Sequence, residues 1–163
     1  MTEKGLQDRK KVTDYFRDKH IDQAFSSPFK RAIDTIQPVI DEKELTLSSI
    51  SDFRERKIGD EWISNFHEYC ERQWEDFDYK LRNGESLKET QKRNVVALKL
   101  VLSKYQDQTM IIGGHGTAIG SVINYYDPSF KYEAFAMIQP KNPFIVKMNF
   151  DGEKYLEYKV VTF

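Results

Sequence analysis

The stretch from Thr109 to Gly120, "TMIIGGHGTAIG", decides the fold of this chain. A short apolar run typical of a buried strand stops at two glycines, presents His115 and continues into a sequence typical of a helix, which we expect Thr117 to cap. The glycines on both sides of His115 remove the Cβ atoms that would hinder a sharp bend or the close approach of a ligand. The pattern predicts a strand, a turn that exposes the imidazole, and a helix.

A second strand–helix unit lies upstream, in residues 23–36. Residues 24–25 predict a short strand, and Ser27 followed by Pro28 is typical of an N-cap and a first helical residue, so we expect a helix from Pro28. Arg31 then falls in the opening turn of this helix. Helix N-termini favour anions and the guanidinium fork suits two phosphate oxygens, so the unit predicts an anion site.

The rest of the chain predicts further helices and strands in alternation. This alternation indicates a three-layer α/β/α fold with a mostly parallel sheet and a hairpin at its end. Because ligands on such sheets bind at the carboxyl ends of the strands, we expect His115 and Arg31 to share one pocket. The other predicted elements are a helix over 2–19 capped by Thr2, a strand within 44–50, a helix over 62–81, a helix opened by the capping box of Ser86 and Glu89, and a hairpin of 144–150 and 154–161 turning at Asp151 and Gly152.

Length and composition limit the classes of function. The 163 residues, of which 39% are hydrophobic, fit one domain over 1–163. With 25 basic and 26 acidic side chains the net charge is -1, which favours neither nucleic acid nor an anionic membrane as a partner. Cys70 has no second cysteine to pair with, and the chain shows no signal-like or membrane-spanning run, so we expect a cytoplasmic protein. No cluster of metal-ligating residues is apparent, and we expect no metal or cofactor.

Four segments, in this order, resemble those of the histidine phosphatase superfamily, also called the phosphoglycerate mutase-like family. They cover most of the chain, and their order is more specific than any one of them. They are "SSPFKRAIDTI" (26–36), "FRERKIGDEW" (53–62), "GESLKET" (84–90) and "GGHGTAI" (113–119).

The resemblance implies a phosphoglycerate mutase-like fold and a role for each matching residue. Arg31 would bind a phosphoryl group, and His115 would donate a hydrogen bond to its oxygens, with Gly116 beside it in the phosphate site. Glu55 would be the general acid and base, although its own surroundings indicate only a solvated loop carboxylate. The implied partner is a small phosphorylated metabolite.

The sequence departs from the family at its start. Family members carry Arg-His-Gly at the end of their first strand, and that histidine is the nucleophile, but no Arg-His-Gly occurs here. His20 and His67 lack the flanking residues of that motif, and we expect both to be ordinary histidines. "MTEKGLQ" (1–7) resembles the family segment that follows the first strand and its loop, so we expect that strand to be missing from this chain.

Three explanations of this missing strand stay open. Residues of the complete protein precede this chain, or the start codon was assigned to an internal methionine, or the chain is a true short form. The first two predict a phosphatase that hydrolyses a small phosphate monoester through a phosphohistidine. The third predicts a non-catalytic phosphate-binding or regulatory protein, inactive by itself, and a homo-oligomer could then repair the sheet by exchange.

A mutase is the rival function within the family. The segment between Glu55 and 84–90 is short, whereas mutases of this family carry a longer insertion there. This difference favours a phosphatase.

Overall fold

Three parallel strands in the order β2-β1-β3 form the central sheet. The strands are β1 (Gln23–Ser26), β2 (Leu47–Ser49) and β3 (Met110–Gly113). The middle strand β1 places Ala24 opposite Leu47 on one side and Ile111 on the other. This computed structural model describes residues 3–60, 62–141 and 143–163.

The described part of the chain contains six α-helices. The capping box that the sequence predicts at the start of the longest helix is confirmed, because Ser86 Oγ accepts from the Glu89 amide and the Glu89 carboxylate accepts from the Ser86 amide. The predicted cap Thr2 lies outside the described residues. The helices are α1 (Glu3–Phe16), α2 (Lys30–Glu42), α3 (Phe66–Glu75), α4 (Leu87–Lys104), α5 (Gly116–Tyr126) and α6 (Tyr132–Ile138), the last of which the sequence did not predict.

Side chains alternate across the sheet and bury themselves against helices on both faces, which confirms the three-layer architecture. Ala24 and Ile111 pack against α2, together with Phe16 of α1. Phe25 and Ile112 point to the other face, where they join the apolar sides of α4 and α5. Residues buried against that second face include Val95, Leu98, Val101, Leu102 and Val122.

The predicted hairpin is confirmed, and it forms a second, separate sheet. Its strands are β4 (Phe144–Asp151) and β5 (Lys154–Thr162), which pair in antiparallel fashion. Gly152 adopts a φ of 59° in the turn, a conformation that glycine tolerates without strain. The hairpin was expected at the end of the parallel sheet, but in the described part of the chain β4 is hydrogen-bonded only to β5.

One edge of β3 is open in the described part of the chain. The carbonyl oxygens of Thr109 and Gly113 accept from backbone amides of the β1 side. Because peptide groups alternate along a strand, those of Met110 and Ile112 face the opposite edge, where no described strand pairs with them. Among the described residues, the sheet therefore ends at β3 with unpaired backbone groups.

Two helix starts differ from the prediction by one or two residues. The helix expected from Pro28 begins at Lys30, and the hydroxyl of Ser27 lies 2.7 Å from Nε2 of His115. The helix expected to be capped by Thr117 begins at Gly116, with His115 in the N-cap position. Ser27 thus contacts His115, and Thr117 lies inside the helix, where its amide donates to the Glu55 carboxylate.

The helix predicted over 62–81 is wrong in length, since α3 covers only Phe66–Glu75. Asn65 caps its start by accepting a hydrogen bond from the Glu68 amide. Asp76 then takes an extended conformation, with φ -129° and ψ 100°, and ends it. The widely spaced aromatic residues extend beyond the helix into the loops on both sides.

We predict that Gly113→Ala destabilises the fold, because this glycine lets α2 approach the end of β3. An added Cβ would lie 2.8 Å from Ser26 Oγ and 3.0 Å from the Ala32 carbonyl oxygen. Overpacking of this kind costs about 1–3 kcal/mol of unfolding free energy, which urea denaturation measures. The adjacent Gly114→Ala is the matched control, since its Cβ would meet only the Ile119 side chain at 3.4 Å. Equal stability of the two variants would contradict the prediction.

Candidate functional site

His115 lies at the carboxyl end of β3 and is buried, with 6% of its surface exposed. Its two ring nitrogens contact residues that follow β1: Ser27 Oγ is 2.7 Å from Nε2, and Arg31 Nε donates to Nδ1 at 3.2 Å. The Phe29 ring packs edge-on against the imidazole, with ring centroids 5.2 Å apart. The flanking glycines thus admit a close contact between two strand ends. The sequence predicted an exposed imidazole ring, but the structure encloses it.

These contacts determine the protonation of His115. Because the Arg31 N–H donates to Nδ1, that nitrogen carries the lone pair, and Nε2 carries the proton and donates it to Ser27. Burial, and then the cations of Arg31 and Arg93, lower the pKa of His115 to about 4. The imidazole is therefore neutral near pH 7.

Arg31 brings a positive charge to the same place from the first turn of α2. Its guanidinium carbon lies 4.9 Å from the centre of the Phe29 ring. Within the described residues, no carboxylate lies at ion-pair distance from Arg31, whereas the neighbouring Lys30 pairs with Asp34 at 2.8 Å. The charge of Arg31 is therefore free to bind an external anion.

Glu55 reaches the site from the loop after β2. Its carboxylate accepts hydrogen bonds from the Thr117 and Ala118 amides, at 3.1 and 3.2 Å, and from the Arg56 amide at 2.9 Å. The Thr117 and Ala118 amides, at the start of α5, have no partner inside the helix, and the helix dipole favours the negative charge of Glu55 there. Glu55 is therefore a fixed group beside His115, not the solvated carboxylate that its local sequence indicates.

Gly116 begins α5 directly after His115. As the first helical residue, it has an N–H without a partner inside the helix. A Cβ at this position would meet only Phe144, at 3.9 Å, so there is open space beside the backbone. The structure thus brings all four predicted residues, Arg31, Glu55, His115 and Gly116, to the carboxyl end of the sheet.

Three residues near the site were missed by sequence reasoning. Ser27 was interpreted as a cap, and Arg56 and Arg93 were not singled out. Arg56 is buried and donates to Gln73 Oε1 at 2.7 Å and to Cys70 Sγ at 3.2 Å. Arg93 lies on α4 and pairs with Glu85, which precedes that helix, and no local signal in the sequence marks this contact.

The other two histidines lie apart from the site. His20 precedes β1, at the opposite end of the sheet, and its Nε2 is 2.7 Å from Asp22 Oδ1. His67 is on α3, with Nε2 3.0 Å from the Tyr132 hydroxyl. His115 is therefore the one histidine that the described residues bring to this pocket.

The described residues show neither a metal-ion cluster nor a membrane-spanning helix. Residues 3–60, 62–141 and 143–163 contain no group of three or more His, Cys, Asp or Glu side chains placed to hold a metal ion. Their helices include none with the length and apolar character needed to cross a bilayer.

The fold and the site together define an α/β protein with catalytic-type side chains at the carboxyl ends of parallel strands. The model of the histidine phosphatase superfamily, branch 1, matches residues 1–160. The chain therefore belongs to the histidine phosphatase superfamily. No curated protein matches the chain.

Several solved structures share this fold, and phosphatases are among them. The chain is similar to a phosphoserine phosphatase mutant from Entamoeba histolytica in complex with phosphoserine, with a TM-score of 0.74 and 21% identity over 96% of this chain and 81% of that one. It is similar to Bacillus stearothermophilus YhfR, with a TM-score of 0.74 and 19% identity over 96% of this chain and 81% of that one. It is also similar to a mycobacterial glucosyl-3-phosphoglycerate phosphatase, with a TM-score of 0.68 and 16% identity over 77% of this chain and 66% of that one.

We predict that His115 makes the protein less stable in mild acid. The unfolded chain takes up a proton at this residue near pH 6.5, whereas the folded protein resists it down to about pH 4, so stability is lost as the pH falls through that window. Between pH 7 and pH 5 this group alone costs about 2 kcal/mol of unfolding free energy.

Urea unfolding at the two pH values measures this loss. His115→Gln removes the titrating group, so its stability should fall about 2 kcal/mol less than that of the parent. His20→Gln, at an exposed histidine, is the control and should follow the parent. Parallel losses in the parent and in His115→Gln would contradict the prediction.

Proposed function

We propose that the complete protein hydrolyses a small phosphate monoester through a phosphohistidine intermediate. The observation that carries the proposal is that Arg31 contacts His115 at adjacent strand ends while Glu55 binds the start of the helix after His115, with the Arg31 charge unpaired among the described residues. Membership of the histidine phosphatase superfamily and the phosphatases that share the fold support the same reaction class.

Arg31 and the start of α5 would hold the phosphoryl group. The guanidinium offers N–H groups in a fork that matches two phosphate oxygens, and the N–H of Gly116 adds a backbone donor. His115 donates a hydrogen bond from Nε2 to Ser27 in this structure, and a hydrogen bond to a phosphoryl oxygen would replace it. Ser27 can accommodate the exchange because a hydroxyl both donates and accepts.

Glu55 would transfer the protons. A nucleophilic imidazole nitrogen attacks phosphorus, the P–O ester bond breaks, and its electron pair stays on the alcohol oxygen, which takes a proton from Glu55. Glu55 then takes a proton from a water molecule as that water attacks phosphorus and breaks the N–P bond. Inorganic phosphate and the free histidine are the products of this second step.

The nucleophile would come from an Arg-His-Gly segment at the end of a strand that pairs with the open edge of β3. A parallel strand on that edge ends beside Gly113 and Gly114, next to His115. The unpaired peptide groups of Met110 and Ile112 are the partners that such a strand needs.

Non-catalytic phosphate binding is the second candidate function. It is favoured by one observation, namely that the described residues bring only His115 to the pocket while His20 and His67 lie elsewhere. In this case the chain would bind a phosphorylated metabolite without turning it over. The mutase reaction differs from the hydrolase only in the acceptor of the phosphoryl group, and the phosphatases among the similar structures favour water.

We predict that phosphate binding depends on Arg31 and His115. Arg31→Ala and His115→Ala should each weaken the binding of inorganic phosphate or vanadate by about tenfold or more, because each removes a hydrogen bond to an anion. Calorimetry measures the affinity. Lys30→Ala removes a neighbouring positive charge that is exposed and paired with Asp34, and it should bind as the parent does. Unchanged affinity in both site variants would reject the proposed pocket.

We predict that the protein from its source cells forms an acid-labile phosphohistidine if its intact mass exceeds 19.3 kDa by a few kilodaltons. A short incubation with p-nitrophenyl phosphate followed by rapid quenching detects this species. Glu55→Gln should slow turnover by about 10²–10⁴-fold, the usual contribution of a general acid and base. A mass of 19.3 kDa, with phosphate binding but no turnover, would instead establish the non-catalytic function.

A further inference from the structure

Arg93 on α4 uses all of its hydrogen-bonding capacity close to Glu55. Its side chain is 11% exposed. The guanidinium makes five hydrogen bonds, which equals the number of its N–H groups. A side chain so fully committed holds its partners in one geometry.

Three of these bonds go to the backbone of the loop that carries Glu55. Nη1 donates to the carbonyl oxygens of Asp52 and Arg54, at 2.7 and 2.8 Å. Nη2 donates to the carbonyl oxygen of Glu55 itself, at 3.2 Å. One guanidinium therefore binds three carbonyl groups within four consecutive residues.

The remaining two bonds join Arg93 to Glu85. Nε and Nη2 donate to the two carboxylate oxygens, at 2.8 and 2.9 Å, which is the paired geometry that only a guanidinium provides. Glu85 also accepts from the Lys57 amide at 2.9 Å and from Arg54 Nη2 at 3.1 Å. Although burial raises the pKa of Glu85, the bonds from Arg93 and the Lys57 amide outweigh it and lower that pKa.

We propose that Arg93 is a positioning residue for Glu55: with Glu85, it fixes the backbone of residues 52–57 so that the Glu55 carboxylate meets the amides of Thr117 and Ala118. This inference deepens the proposed function, since Glu55 is the proton-transfer group in it. Arg93 donates to the Glu55 carbonyl oxygen and leaves the Glu55 carboxylate free to face α5.

A lysine cannot replace Arg93 in this role. Its ammonium is a single point with three donors, so it can neither pair with both Glu85 oxygens nor span three carbonyl groups. The helix itself depends on other residues, because α4 packs on the sheet through its apolar side. Arg93→Lys therefore keeps the charge and the helix and removes the geometry.

The test is amide hydrogen exchange, measured by NMR in the parent and in Arg93→Lys. If Arg93 positions Glu55, exchange at Thr117 and Ala118 rises about tenfold or more, while exchange at Leu98 and Val101 in the core of α4 is unchanged. Arg54→Lys is the matched control, since Arg54 also contacts Glu85 but is 35% exposed, and it should leave exchange at Thr117 and Ala118 within about twofold of the parent.

Two results would overturn the inference. One is unchanged exchange at Thr117 and Ala118 in Arg93→Lys, and the other is a rise there that is equalled at Leu98 and Val101, which would mean general destabilisation. These readouts need no turnover, so they decide the role of Arg93 even if the complete protein proves inactive and the proposed function fails.

In an active complete protein, kinetics give a second readout. Arg93→Lys should lower kcat about tenfold with KM unchanged, because the groups that bind phosphate are intact and only proton transfer is impaired. A wild-type kcat in Arg93→Lys, or a change in KM alone, would also overturn the inference.

Discussion

The parallel pairing of β1 with β3 is the interaction on which the site depends. It sets Ser26 opposite Gly113, so the chain leaves both strands at the carboxyl end of the sheet. Ser27 and His115 then follow their strands directly and meet at 2.7 Å. A shift of this register by one residue would turn the side chains of the shifted strand to the other face and separate the two residues. The geometry around His115 is thus fixed by backbone hydrogen bonds that are themselves buried between helices.

The sequence predicted most of this fold because its elements carry local signals. The capping box at Ser86, the apolar strand before His115 and the glycine turn at Gly152 are each readable within a few residues. The start of α2 could not be predicted in this way, because Ser27 is a good cap by residue type. Its hydroxyl instead contacts His115, which lies 88 residues away in the sequence. Helix α6 was missed since its burial against Trp74 depends on residues far apart in sequence.

Sequence patterns alone placed Arg31 and His115 in one pocket, whereas Glu55 was predicted only through a family resemblance. Arg31 contacts His115, and the Glu55 carboxylate binds the start of the helix that follows His115, yet local sequence indicated only a solvated carboxylate at Glu55. The sequence around Glu55 does not show the groups that bind its carboxylate, since these amides belong to a helix more than sixty residues away. Arg93 was invisible for the same reason: three of its partners are carbonyl oxygens, which every residue has and no sequence distinguishes.

The open edge of β3 also has a consequence for handling the isolated chain. Unpaired strand edges are templates for aggregation, and proteins usually protect them with charges, prolines or bulges. The outward peptide groups here belong to Met110 and Ile112, neither of which carries a protecting charge. Concentrated samples of this sequence alone would therefore tend to precipitate, and a soluble fusion partner or a high-charge tag would be a practical choice for purification.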